Sequence, residues 1–144
     1  QNRLEWMVEK LSEIGISRIT FVLSENSEKK KLKYDRIIKK TISALKQCNS
    51  LFLTDIQELI LLEDYLKKTS NIKNKFFADL NSNNILKKPI NKEKSLILIG
   101  PEGDFSNTEK DLILKNNFKS ISLGSSILRT ETAAIVGGFM LRNF

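Results

Sequence analysis

The sequence predicts an α/β domain, a mostly parallel sheet with helices on both faces. Three observations carry this. Short apolar, β-branched segments alternate with amphipathic ones along the chain, as parallel strands joined by crossover helices do. Two glycine-containing polar segments, residues 100–105 and 124–129, each lie between a strand and a helix, where open parallel sheets bind their ligands. Finally, 144 residues that are 40% apolar suffice for one core, and no repeat or linker divides them.

The elements follow in order. Residues 3–14 read as a helix, because Leu4, Met7, Val8, Leu11 and Ile14 fall on one face and Gly15 can cap the end. Residues 19–23 are a β-branched and aromatic strand, followed by a charged loop over 24–33. Residues 35–47 read as a helix with Ile38, Ile42 and Leu45 inward. A brief strand is expected at 51–53. Asp55 and Glu58 then resemble a capping box opening a helix that carries Leu59, Leu62 and Leu66. Residues 76–80 form a strand and 81–94, with Pro89, a polar loop. Residues 96–99 are a buried strand, and Ser106 with Glu109 caps the next helix. Residues 121–123 are the last strand.

Thr130 is expected to cap a final helix toward Phe144. That helix is apolar nearly all round (Ala133, Ala134, Ile135, Val136, Phe139, Met140, Leu141), so burial is expected. Gly137 and Gly138 inside it each cost about 1 kcal/mol relative to alanine. A close approach of another backbone, in this domain or a second subunit, is the expected compensation.

Composition removes several kinds of chemistry. There is no histidine, so neither a Ser-His-Asp nor a Cys-His constellation exists within the chain. The single cysteine, Cys48, builds no disulfide framework and reads as a small buried hydrophobe. A zinc or other transition-metal site is not expected. No apolar run approaches the ~18 residues of a membrane helix, and no signal peptide is visible, so a cytoplasmic location is expected. The chain starts at Gln1 without a methionine, and is expected to be a piece of a longer protein. The net charge of +7 suits a polyanion such as RNA, and equally suits simple solubility. The densest basic cluster runs through Lys29, Lys30, Lys31 and Lys33 to Arg36, Lys39 and Lys40.

The two loops differ in chemistry. In Gly100-Pro101-Glu102-Gly103-Asp104 the glycines permit positive φ and Pro101 stiffens the turn. Taken alone it can be a tight turn and nothing more. Glu102 and Asp104 would repel phosphate, so a cationic or neutral ligand suits it better. In the second loop, Arg129 stands just before the proposed cap, where the helix dipole favours anions. That makes it a functional candidate, or else a salt-bridge partner of Glu131 or Glu102. Ile127 and Leu128 suit a flat ring or plain core filling.

Together these loops resemble the SPOUT class of RNA methyltransferases, and within it the RsmE family. That family's first pattern is IGPEGG[FL]S followed by a Glu; this chain has Ile99-Gly100-Pro101-Glu102-Gly103-Asp104-Phe105-Ser106 and Glu109. Its second is LGxRILRTETA; here Leu123-Gly124-Ser125-Ser126-Ile127-Leu128-Arg129-Thr130-Glu131-Thr132-Ala133. Glu5-Trp6 and residues 10–16 are similar to the family's beginning of the domain, and Gln47 lies where the family carries an EQ pair.

The resemblance implies one SPOUT domain over residues 1–144, with a C-terminal trefoil knot and cofactor cleft at about 95–144. It also implies a PUA-like RNA-binding domain outside this chain, and a homodimer. It implies S-adenosyl-L-methionine as cofactor, held by Leu98, Ile99, Gly100, Pro101, Glu102, Gly103, Leu123, Gly124, Ile127, Leu128, Thr130, Thr132 and Ala133. The implied reaction is methylation of a uridine N3 in small-subunit ribosomal RNA or the 30S subunit, with Arg129 stabilising the anion. Two positions depart from the pattern: Ser126 replaces an arginine, and Asp104 replaces a glycine. A knotted binding module without turnover, and a flavodoxin-like nucleotide binder without a knot, are the alternatives.

Overall fold

The structure, a computed structural model, describes residues 2–28, 31–48, 52–86 and 94–143. In chain order these form α1 (Arg3–Ile14), β1 (Arg18–Leu23), α2 (Tyr34–Gln47), β2 (Asp55–Leu61), α3 (Leu62–Lys68), β3 (Asn74–Ala78), β4 (Ser95–Leu98), α4 (Asn107–Lys115), β5 (Lys119–Ile121) and α5 (Thr130–Asn143). Every strand pairing is parallel. β1 pairs with β2, and β4, β3 and β5 lie side by side in that order. The described strands thus form two parallel sheets rather than the single sheet expected.

Alternating side chains put helices on both faces. Leu98 and Phe77 pack with Leu62 and Leu66 of α3, Ile113 of α4, and Phe105 and Phe118. Ile97 of β4 and Ile99 beyond it face the other way, toward Gly137 of α5. On that side Met7, Val8 and Leu11 of α1 pack on Ile19 and Ile37, with Ala134 and Ile135 of α5 against them. Phe77, Leu66, Ile37 and Ile113 are essentially inaccessible, and burying each stabilises the fold by roughly 1.5–3 kcal/mol.

Several elements depart from the sequence reading. Asp55 opens no helix: residues 55–61 form β2, registered from Arg18↔Asp55 to Leu23↔Leu61. Its carboxylate takes the Arg18 Nε hydrogen bond at 2.8 Å instead of capping, and the ladder with β1 overrides the local cap signal. Phe52 and Leu53 are exposed and irregular, so no strand forms there; Leu51 lies outside the described residues. On α2 the buried stripe is Ile37, Thr41 and Ala44, while Ile38 and Ile42 are exposed. Packing against α1 selects that stripe, and Thr41 tolerates burial because its hydroxyl donates to Ile38 O at 2.8 Å. Cys48 is exposed, not buried.

The glycine pair in α5 answers its expectation in modified form. A Cβ on Gly137 would stand 2.9 Å from Ile97 Cδ1, and one on Gly138 would stand 2.8 Å from Leu11 Cδ2. The close neighbours are side chains of β4 and α1, not another backbone. The helix is also less buried than expected: Ala133, Gly137 and Gly138 are its buried residues, and Phe139 is half exposed.

Candidate functional site

The first loop leaves β4 and enters α4. Pro101 O accepts from Asp104 N at 2.9 Å, which closes the turn. The positive φ falls on neither Gly100 nor Gly103 but on Asp104, at 59°. Gly100 is needed for space, since a Cβ there would lie 2.9 Å from Asp104 Oδ1. That Oδ1 accepts from Phe105 N at 2.8 Å, and the buried Phe105 ring anchors the loop in the core.

Partners from two other segments hold the turn. Asn26 Nδ2 donates to Gly103 O and Asp104 O, at 3.2 and 2.9 Å. Lys110 Nζ lies 2.7 Å from Asp104 Oδ2 and 3.1 Å from Asp79 Oδ1. Burial opposes the Lys110 charge, but hydrogen bonds to Asp104 and Asp79 outweigh it, so its pKa lies above the ordinary lysine value. The capping box at Ser106 forms as the spacing predicts, and buried Glu109 also accepts from Glu25 N at 2.8 Å.

The second loop leaves β5 and enters α5. Ser122 N donates to Asn84 O at 2.7 Å, and the Ser122 hydroxyl pairs with Gly124. Gly124 has φ 126° with open space around its Cα, so conformation rather than crowding requires the glycine. Residues 124–127 and Arg129 are exposed, Ile127 to 83%. Thr130 is the first residue of α5, and its hydroxyl donates across to Gly100 O at 3.2 Å. It ties the two loops together rather than capping its own helix.

The carboxylates expected for Arg129 are taken by Arg3, which lies 3.5 Å from Glu102 and 3.8 Å from Glu131. Arg129 makes no ion pair among the described residues. Its guanidinium is available for an anion.

Both loops line one cleft of about 460 Å³, the size of a small-molecule site. Of the residues singled out in the sequence, Ile99, Gly100, Pro101, Glu102, Leu123, Gly124, Ile127, Leu128, Arg129, Thr130 and Ala133 line it, as do Asp104 and Ser126. Leu98, Gly103 and Thr132 do not. Leu98 points into the α3–α4 core, Gly103 turns its carbonyl to Asn26, and Thr132 sits beside Ala133 on α5. Arg3, Ala78, Asp79, Leu80 and Ser122 also line the cleft. Three of these, Ala78, Asp79 and Leu80, stand at the carboxyl end of β3, where the strand-end rule could have found them. Arg3 carries no sequence signal, because the fold alone brings α1 to this wall.

The lining offers an apolar wall (Ile99, Pro101, Leu123, Leu128), carboxylates (Asp79, Glu102, Asp104) and one unpaired guanidinium. That mixture fits a ligand with a flat apolar part and a cationic part, beside a second, anionic reactant. Among the described residues no group of three His, Cys, Asp or Glu side chains is placed to hold a metal ion, and no helix is long and apolar enough to cross a membrane.

Residues 1–139 match the RNA methyltransferase domain family. The chain belongs to that family. Among its members, the ribosomal RNA small subunit methyltransferase E of Rickettsia conorii is 34% identical over 139 residues, which cover 94% of this chain and 57% of that protein. The crystal structure of a probable rRNA-methyltransferase from Porphyromonas gingivalis is 36% identical with a TM-score of 0.83, covering 94% of this chain and 59% of that one. The ribosomal RNA small subunit methyltransferase E of Neisseria gonorrhoeae, solved bound to S-adenosyl methionine, is 26% identical with a TM-score of 0.85 and covers 96% and 59%. This chain thus spans somewhat over half the length of the relatives it matches, and it shares the α/β architecture of the solved ones.

Proposed function

We propose that this chain is the catalytic domain of an S-adenosylmethionine-dependent methyltransferase acting on N3 of a uridine in small-subunit ribosomal RNA. One observation carries the reading. The GPEGD turn and the LGSSILRT loop, far apart in sequence, converge on a single cleft whose lining includes Arg129, an arginine without an ion pair among the described residues. Relatives that are small-subunit methyltransferases, one solved with this cofactor, support it.

The residues present fit the cofactor. Leu123, Leu128 and Ile99 supply an apolar bed for an adenine, whose edge the backbone of the two loops would read. Glu102 and Asp79 make the cleft tolerant of positive charge. When bound, the cofactor supplies an electrophilic methyl group on a sulfonium. The cleft residues would bring the two reactants together, which supplies part of the rate by proximity. The uridine N3 proton would pass to solvent water and Arg129 would stabilise the resulting anion electrostatically; the N3–CH3 bond would form as the S–CH3 bond breaks, with S-adenosylhomocysteine as the leaving group.

The same reading includes a C-terminal trefoil knot. It also includes a homodimer, a cytoplasmic location and a PUA-like RNA-binding domain in the full protein. A cofactor- or RNA-binding module without turnover is the second reading, favoured by Ser126 at the cleft where an arginine would bring another cation.

Calorimetric titration of the folded chain with S-adenosylmethionine and S-adenosylhomocysteine tests the cofactor. Micromolar binding near one site per chain is expected, and no binding would overturn the reading. Methyl transfer from labelled cofactor to unmethylated small subunits then separates enzyme from binding module.

A further inference from the structure

Asp104 and Asn117 are the non-glycine residues with positive φ among those described, at 59° and 64°. Their settings differ. Asn117 follows α4 in an ordinary helix ending, with its N–H on Leu114 O, and asparagine visits this conformation readily. Asp104 forms the corner of a cleft wall, and its carboxylate is committed on both oxygens. Oδ1 accepts from Phe105 N, and Oδ2 lies 2.7 Å from Lys110 Nζ. Lys110 is on α4 and also reaches Asp79, just past β3, at 3.1 Å. Its side chain is only 18% exposed and that of Asp79 16%, so solvent weakens this bridge less than a surface pair. Asp79 and Asp104 both line the cleft; Lys110 stands behind them.

We propose that Lys110 is a positioning residue for the cleft: by clamping Asp104 to Asp79 it fixes the left-handed corner of the first loop, the role a glycine's free backbone would otherwise fill. The clamp also sets the spacing between the end of β3 and the first loop, and so the width of the cleft between them. Lys110 offsets one of the two carboxylate charges and leaves the cluster net negative toward the cleft. This assignment rests on the reading of the cleft as a cofactor site, but its structural half stands without ligand.

The test is a double-mutant cycle between Lys110→Met and Asp104→Gly. Lys110→Met is expected to weaken S-adenosylmethionine binding about tenfold and to speed amide hydrogen exchange at Asp104 and Phe105 in the ligand-free chain. Asp104→Gly makes the corner without the clamp, so Lys110→Met in that background is expected to change affinity less than about twofold. Lys110→Arg, which keeps the charge, is expected to bind within about threefold of the parent and serves if Lys110→Met fails to fold. Equal losses in both backgrounds, or unchanged exchange at the corner, would overturn the assignment, because a merely structural lysine on α4 is not rescued by a glycine across the loop. If the parent chain binds no cofactor, the exchange measurement still decides the role of Lys110, and only the cofactor reading falls.

Discussion

The two loops of the cleft are held in opposite ways. The first is pinned from three directions: by Asn26 from the β1–α2 connection, by Lys110 from α4, and by Phe105 in the core. The second crosses the same cleft with four consecutive exposed residues, and its links are Ser122 to Asn84 and Gly124 at one end and Thr130 to Gly100 at the other. One wall is therefore held by contacts within the chain, and the other is largely open. A preformed wall lowers the ordering cost of binding. An exposed wall carrying Ile127 and Arg129 can pack on a cofactor and meet a substrate without first breaking internal contacts.

Substitutions should separate the walls by kind of effect. The largest expected effect lies on the open wall. Arg129→Ala should cut methyl transfer by about 100-fold or more while cofactor affinity in calorimetry stays within about threefold, since the guanidinium has no ion-pair partner to lose among the described residues. Unchanged turnover would remove Arg129 from the chemistry. Next comes the pinned wall. Asn26→Ala removes two hydrogen bonds to the first loop, each worth about 1 kcal/mol, so affinity should fall about tenfold and Tm should drop as well. Loss of affinity without loss of stability would mean that Asn26 meets the ligand directly.

A smaller effect is expected at Ile127→Ser. Its side chain is 83% exposed without ligand, so stability by denaturant titration should stay within about 0.5 kcal/mol while affinity weakens severalfold. A large stability loss would show the second loop to be packed already. The smallest concerns pH. The Lys110 pKa is raised above 10.5, so its clamp contributes fully below that value and is lost only as pH rises through the higher folded one. Between pH 7 and 9 the clamp should add nothing to the pH dependence of cofactor binding, and a Lys110→Arg variant should show the same flat profile.

How much of this was legible follows the same divide. Local signals worked where the interaction is local: Gly15 in a left-handed cap, the Ser106–Glu109 capping box, and the span of α1. The two motif loops could be placed at strand ends because parallel sheets put ligands there. Reading failed where a distant partner decides. Asp55 looks like a helix cap until β1 offers a parallel ladder. Ile38 and Ile42 look like the inner face of α2 until α1 selects Ile37 and Thr41. Arg3 and Asn26 reach the site from residues that carry no motif, and Lys110 reads as an ordinary helix-surface lysine until α4 sets it between two carboxylates. Of the residues that the resemblance to RNA methyltransferases points to, all but Leu98, Gly103 and Thr132 line the cleft between the two loops.

The most direct measurement is amide hydrogen exchange of the chain with and without saturating S-adenosylmethionine. The account predicts strong new protection across residues 123–129 and little change at the Asp104 and Phe105 amides, which are hydrogen-bonded without ligand. Protection gained mainly in the first loop, or in neither, would contradict it.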